Sequence, residues 1–269
     1  MTALGAAGAF AQTVPSVSPA SLPAVKYATS PLGDVNLPSV VSLPRMAPEL
    51  ALQVFMQRTT AQPGKLAGYT DTTVVEAELP DTAQKGKYEL IRSFTAPHSL
   101  SFATVKFTVD SFVKTNVIVR LLQQEVDLTK KGNPEATAIS DKNYKFSYKG
   151  VEDVDGKLCH VFQLKPRKKQ PGLFKGRIYV DAYSGSLHRA EGTLMKSPSF
   201  FVKKIEFVQD FTDIAGFTFP ERLRSTAKAR IIGRAVVNIL HKGYKLEAKS
   251  DTPAAPPAMD VFIPTGSTQ

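Results

Sequence analysis

From residue 65 to residue 248, apolar and polar side chains alternate with a period of two over most of the chain. Such alternation marks half-buried strands. It predicts strands over 65–79, 87–95, 100–109, 143–149, 158–165, 176–181, 187–195, 202–211, 217–225 and 235–248. Asp155-Gly156, Ser184-Gly185 and Ala215-Gly216 stand at joints between strands and offer the positive-φ position of a tight hairpin. Strands joined so closely run antiparallel. Two segments carry helical spacing instead. Over 48–60, Leu50, Val54 and Gln57 share a side, Leu52 and Phe55 flank it, and Pro48 suits the first turn. Over 111–131, Val117, Leu121, Leu122 and Val126 recur at helical intervals, and Lys130-Lys131-Gly132 supplies a basic last turn and a stop. The fold class expected is α+β and mainly β: one large curved antiparallel sheet with two helices packed on it.

The strands also show which positions seek a core. Ile178 and Val180, Ile205 and Phe207, and Val237 and Ile239 occupy alternate positions between polar neighbours. Val236, Leu240, Tyr244 and Leu246 make the last strand apolar on its other face as well, at least in part. A sheet wet on one side alternates more cleanly than this. Two helices are too few to cover ten long strands, so part of the apolar surface is expected to line a cavity. The expected wall is Ile178, Val180, Leu187, Ile205, Phe207, Val237 and Ile239. Phe200 and Phe201, between Ser197-Pro198-Ser199 and Lys203-Lys204, form either a greasy lip at the cavity mouth or a pair that is core on one side only.

The ends of the chain differ from its middle. Residues 1–11 are small and apolar and close on Ala9-Phe10-Ala11 before Gln12, the small-x-small step of a signal peptidase site. They read as the remnant of a signal peptide without its basic start, the other reading being an alanine-rich terminus. Residues 12–45 hold prolines at a density that excludes helix and central strand, and are expected to be a Pro/Ser-rich linker. A Pro/Ala-rich tail is expected over 250–269, which leaves 46–249 as the folded domain. No cysteine lies near the leader for lipidation, and nowhere do 18 apolar residues run together. The mature protein is expected to be soluble and periplasmic.

Composition narrows the choice of partner. Of 269 residues, 42% are hydrophobic and 22% charged, a globular balance. Lys plus Arg exceed Asp plus Glu by 34 to 24, for a net charge of +10. That excess favours anionic surroundings. Lys165, Arg167, Lys168 and Lys169, followed by Lys175 and Arg177, flank Pro166 and Pro171-Gly172 in a loop between strands. The run is either a solvated loop or a patch for anionic headgroups or an acidic envelope protein. With Phe174 as its one nearby aromatic, it lacks the stacking residues of a nucleic-acid site, and no nucleic acid is expected.

The search for catalytic chemistry excludes the usual arrangements. Gly150 to Lys157 resembles a phosphate loop, but five residues separate Gly150 from Gly156, and Leu158 follows the lysine where Ser or Thr is required. His98, His160, His188 and His241 show no ligand spacing, so no metal is expected. Cys159, the single cysteine, lies in an apolar strand and reads as a buried inert thiol; it permits no intramolecular disulfide. Asp153 and Asp155 fall in a turn, where solvated capping accounts for them. No serine elbow occurs. No cofactor is expected and the chain does not read as an enzyme.

One stretch carries a resemblance. Tyr144 to Lys196 runs as a hairpin ending in a Lys-Pro basic loop, followed by a second hairpin. In that second hairpin Val180-Asp181, a Ser184-Gly185 turn and Leu187-His188-Arg189 succeed one another. This resembles the outer-membrane lipoprotein-sorting proteins, the LolA-like superfamily; Phe219-Pro220 on a later strand fits the same pattern. The resemblance implies an incomplete barrel, its curved sheet closed by helices over an apolar cavity. It further implies a soluble periplasmic carrier of lipid or of lipoprotein acyl chains. The alternative is a sensing or protein-binding module of the same fold that moves no lipid.

Overall fold

The computed structural model describes residues 44–196, 202–229 and 233–248. Helix α1 is Pro48–Ala61. A second helical run, α2, joins Ser111–Val113, a π turn Lys114–Ile118 and Val119–Lys130 end to end. The strands are β1 Leu66–Leu79, β2 Gln84–Thr95, β3 Ser99–Val109, β4 Tyr144–Val154 and β5 Lys157–Pro166. They continue as β6 Phe174–Asp181, β7 Leu187–Leu194, β8 Val202–Ile214, β9 Phe217–Ala229 and β10 Gly233–Ala248. Each expected strand is present. The longest extension is in β4, which like β8 runs on through largely polar residues to its hairpin end. There backbone pairing such as Asp213 with Thr218 continues without any apolar alternation to announce it.

All ten strands form one antiparallel sheet in the order β3-β2-β1-β10-β9-β8-β7-β6-β5-β4. The meander from β4 to β10 is local, as its short turns require. Asp155-Gly156 and Ala215-Gly216 take positive φ at both residues, the type I′ geometry that matches strand twist. Ser184-Gly185 belongs to a wider loop. There the Asp181 carboxylate accepts hydrogen bonds from the Ser184 amide at 2.7 Å and the Tyr183 amide at 3.0 Å. Gly185 is at φ 65°, and a Cβ there would stand 2.6 Å from Val54 Cγ1 of α1. The glycine therefore permits the helix to seat on the loop.

The pairing of β1 with β10 folds the first hairpin back onto the last strand. Among the described residues β3 and β4 end the sheet without pairing to each other, so the barrel is incomplete. One face carries the main core. Ala51 and Phe55 of α1 pack there with Tyr144, Phe162, Phe174, Ile178, Val180 and Phe211. Val113 and Ile118 of α2 pack with Val75, Leu90, Leu223 and Ile239. Phe207 touches both clusters and so places them on the same, inner face. Val154, Cys159, Val161 and Tyr179 form a smaller cluster. Cys159 and Val161 alternate with Phe162 and Leu164 of the inner cluster, and so belong to the outer face. The aromatic-proline step has a geometric reason. Pro220 lies at a bulge opposite Phe211, beyond the last β9–β10 pair at Arg222, where no ladder asks for its missing N–H.

Candidate functional site

Helix α2 is strongly amphipathic, yet no residue of Val119–Lys130 is buried. Leu121 and Leu122 pack against the cluster of Val75, Leu90, Leu223 and Ile239, and Val126 against that of Leu66, Tyr69, Leu100 and Phe219, each only partly covered. Along the helix lies an open cleft of about 480 Å³ lined by Tyr88, Leu90, Phe102, Thr104, Phe107, Lys114, Val119, Leu122, Gln123 and Val126, with Phe107 and Val119 54% and 44% exposed. Two irregularities shape its walls. In β3, Lys106 pairs with Glu89 and Thr104 with Leu90, which leaves Val105 as an extra residue bulged out and 60% exposed. Inward residues are even-numbered before the bulge and odd-numbered after it, so Phe102, Thr104 and Phe107 all face the cavity. Phe107 stacks on Tyr88 with ring centroids 5.1 Å apart. In α2, the π turn separates the buried Val113 and Ile118 by five residues, one more than an α-helical turn, and rephases the helix that follows.

Beside the cavity lies a buried polar cluster built across β1, β2, β10 and α2. Arg92 donates from Nε to Asp71 at 2.7 Å, from one terminal nitrogen to Glu125 at 3.0 Å and from the other to the Tyr244 hydroxyl at 2.8 Å. Its guanidinium also lies 4.8 Å from the centre of the Tyr69 ring. The Thr73 hydroxyl donates to Asp71 at 2.6 Å and meets Nδ1 of His241 at 2.9 Å. With the hydroxyl proton given to Asp71, the neutral His241 ring carries its proton on Nδ1. Burial alone would raise the Asp71 carboxyl, but the His241 hydrogen bond and the Arg92 charge outweigh it and hold its pKa below the ordinary value. Burial, and then the Arg92 charge, hold His241 below its ordinary value. Through Glu125 the cluster ties α2 to the sheet next to Val126 of the cavity wall. Its residue types were visible in the sequence: Asp71, Thr73, Arg92 and His241 fall on the inward side of strands read there only for their apolar positions. Their mutual pairing was not visible.

The structure distributes the expected site residues unevenly. Ile178, Val180 and Leu187 are buried in the cluster beneath α1, and Ile205 is also buried. Phe207 lies between the two clusters; Ile239 and Val237 pack in the cluster beneath α2. These seven residues share the inner face, but none lines the cavity between α2 and β3. Tyr144, Phe162, Phe174 and Phe211 are buried in the same cluster as Ile178, Val180 and Leu187. Phe200 and Phe201 lie outside the described residues.

Lys165, Lys168 and Lys169 are exposed, whereas Arg167 folds back to donate to the carbonyls of Asp141 at 2.7 Å and Tyr144 at 3.1 Å. Arg177 is engaged by Glu191 at 2.7 Å and Glu152 at 3.5 Å. This loop joins β5 to β6, near the opposite end of the strand order from the cavity. Asp153 caps its turn by accepting from the Gly156 amide at 2.9 Å. Burial pushes the Cys159 thiol up to about 12, which makes it a poor nucleophile. Arg189 of the Leu187-His188-Arg189 unit pairs with Asp210 at 2.5 Å and Asp155 at 2.6 Å, a structural clasp.

Comparison with known proteins places this geometry in context. Residues 137–244 match the model of a family of unknown function, DUF5686. No match is found among curated proteins. A DUF1329 family protein from Desulfovibrio piger shares 12% identity at a TM-score of 0.40, covering 74% of this chain and 92% of that one. A LolA superfamily protein from Nitrosomonas europaea shares 13% identity at a TM-score of 0.36, covering 77% and 96%. A Vibrio parahaemolyticus domain described as an outer membrane lipoprotein-sorting protein shares 10% identity at a TM-score of 0.39, covering 75% and 94%.

Proposed function

We propose that this protein binds an apolar chain, the acyl portion of a lipid or of an acylated lipoprotein, between α2 and the β2–β3 end of the sheet. In this reading it works in the periplasm as a soluble carrier. The observation that carries the reading is the amphipathic helix, only partly covered against the sheet, beside an open cleft of about 480 Å³ whose lining residues are mainly apolar. Ligand pockets commonly span about 300–1,000 Å³ with few polar groups. Burying about 14 methylenes at roughly 0.8 kcal/mol each gives about 11 kcal/mol gross. Ordering costs reduce that sum, and micromolar binding, about −8 kcal/mol, remains within reach. Ile178, Val180, Leu187, Ile205, Val237 and Ile239 then hold the sheet in shape behind the ligand, with Phe207 bridging the two clusters. The Ala9-Phe10-Ala11 step supports export, and among the described residues no helix is long and apolar enough to cross a membrane.

The test is fluorescence titration with the neutral apolar probe N-phenyl-1-naphthylamine. Micromolar binding is expected, with loss of that binding in Leu122→Trp, whose indole fills the space at unchanged melting temperature. Absence of probe binding, or equal binding to the variant, overturns the reading.

A second reading, a module that docks on an anionic or acidic envelope partner, is favoured by the exposed Lys165, Lys168 and Lys169, far from the cavity in strand order. It expects no probe uptake, and retention on anionic vesicles that is lost when Lys168 and Lys169 become glutamate.

A further inference from the structure

We propose that the cavity selects an amphiphile with an anionic head, received by Lys114 at the start of the π turn; this rests on the reading of the cavity as a ligand site. Among the residues lining the cavity, Lys114 is the single charged one and no carboxylate is present. Its ammonium lies 4.9 Å from the centre of the Phe107 ring, another wall residue. Two apolar anchors fix its backbone, Val113 immediately before it and Ile118 at the end of the π turn, both buried. Among the described residues Lys114 has no carboxylate partner, and the Thr104 hydroxyl on the facing strand has no hydrogen bond. Gln123 already donates its amide to Asp127 at 2.8 Å.

Arg92 of the neighbouring polar cluster is enclosed by Asp71, Glu125 and Tyr244 and is not free to meet a ligand. Among the lining residues a head group therefore has one cation to meet, Lys114. The apolar chain then runs from Lys114 and Phe107 past Leu90 and Leu122 toward Phe102 and Val126. A lone positive charge against a carboxylate in a half-enclosed site forms a charge-assisted hydrogen bond, which neutral heads cannot reproduce. Stacking of Lys114 on Phe107 would by itself favour no ligand charge, and this separates a binding role from a packing role.

The experiment is displacement of bound N-phenyl-1-naphthylamine by laurate and by dodecanol, chains of equal length with anionic and neutral heads. Wild-type protein, Lys114→Gln and Lys114→Arg are compared, with thermal melts as the folding control. Laurate is expected to displace the probe at about ten-fold lower concentration than dodecanol in wild type. That preference is expected to vanish in Lys114→Gln, persist in Lys114→Arg and narrow with added salt. Equal displacement by the two ligands in wild type, or a laurate preference that survives in Lys114→Gln, overturns the head-group assignment while leaving the cavity reading in place. Failure of the neutral probe to bind wild type removes the cavity reading, and this inference with it.

Discussion

Asp71, Arg92 and His241 show how single residues can carry a meaning that alternation hides. Each stands at an inward strand position beside apolar neighbours, and each is buried. A buried arginine stripped of its partners costs several kcal/mol, so the cluster holds only as a set. The set also makes stability depend on pH. In the unfolded chain His241 titrates near its ordinary value of about 6.5 and Asp71 near about 3.9. As pH falls through about 6.5 the unfolded chain takes up a proton that the buried ring resists, so stability is lost from there downward. The contribution of Asp71 is present above its ordinary value and is lost only as pH falls toward its lower folded pKa. The melting temperature is therefore expected to decline on acidification from about pH 7.5 to about pH 5.5. In His241→Gln, which keeps a side-chain donor, that decline should be shallower. His188, also held low first by burial and then by Lys157 and Arg189, supplies part of the remaining slope. Melting curves for the two proteins across this range decide the matter; parallel declines would remove His241 from the account.

At the scale of elements, most boundaries were readable because each strand alternates against a solvated face and each helix repeats near every fourth residue. The Val105 bulge and the π turn were not, and both border the cavity. A bulge adds one residue without changing local propensity, so only the partner strand reveals it. Val105 separates two inward-facing series that would otherwise fall on opposite faces. Deleting it should leave Thr104, Lys106 and Phe107 opposite Leu90, Glu89 and Tyr88 in unbroken alternation, so that Phe107 keeps its inward place and its stacking on Tyr88. Probe affinity is expected to stay within about two-fold of wild type and the melting temperature not to fall, since the ladder then runs without its unpaired residue. Titration and melting of the deletion variant measure both effects. A loss of about ten-fold would mean that the local kink of the bulge, and not only the inward side chains, shapes the binding wall.

For the whole molecule, the two helices play unequal parts. Helix α1 buries Ala51 and Phe55, and its Arg58 is tied to Asp213 and Gly216 on the β8–β9 hairpin. In α2 burial ends with the π turn, and the helix beyond is held through half-covered apolar contacts and Glu125. Amides of 119–130 are therefore expected to exchange with solvent faster than those of α1 or of the central strands β1 and β10. Hydrogen exchange followed by mass spectrometry reads this directly; protection of 119–130 equal to that of β1 would contradict it. By itself the sequence determined the class of the fold, the ten strands, the two helices and the local meander from β4 to β10, because these follow from side-chain period and turn chemistry between neighbours. Tertiary structure decided what depends on residues far apart in the chain. It set the β1–β10 pairing, buried Arg92 among acids from two other elements, and placed an open cleft beside α2. Apolar pattern states how much surface must be covered, and only packing decides which part of it is left open.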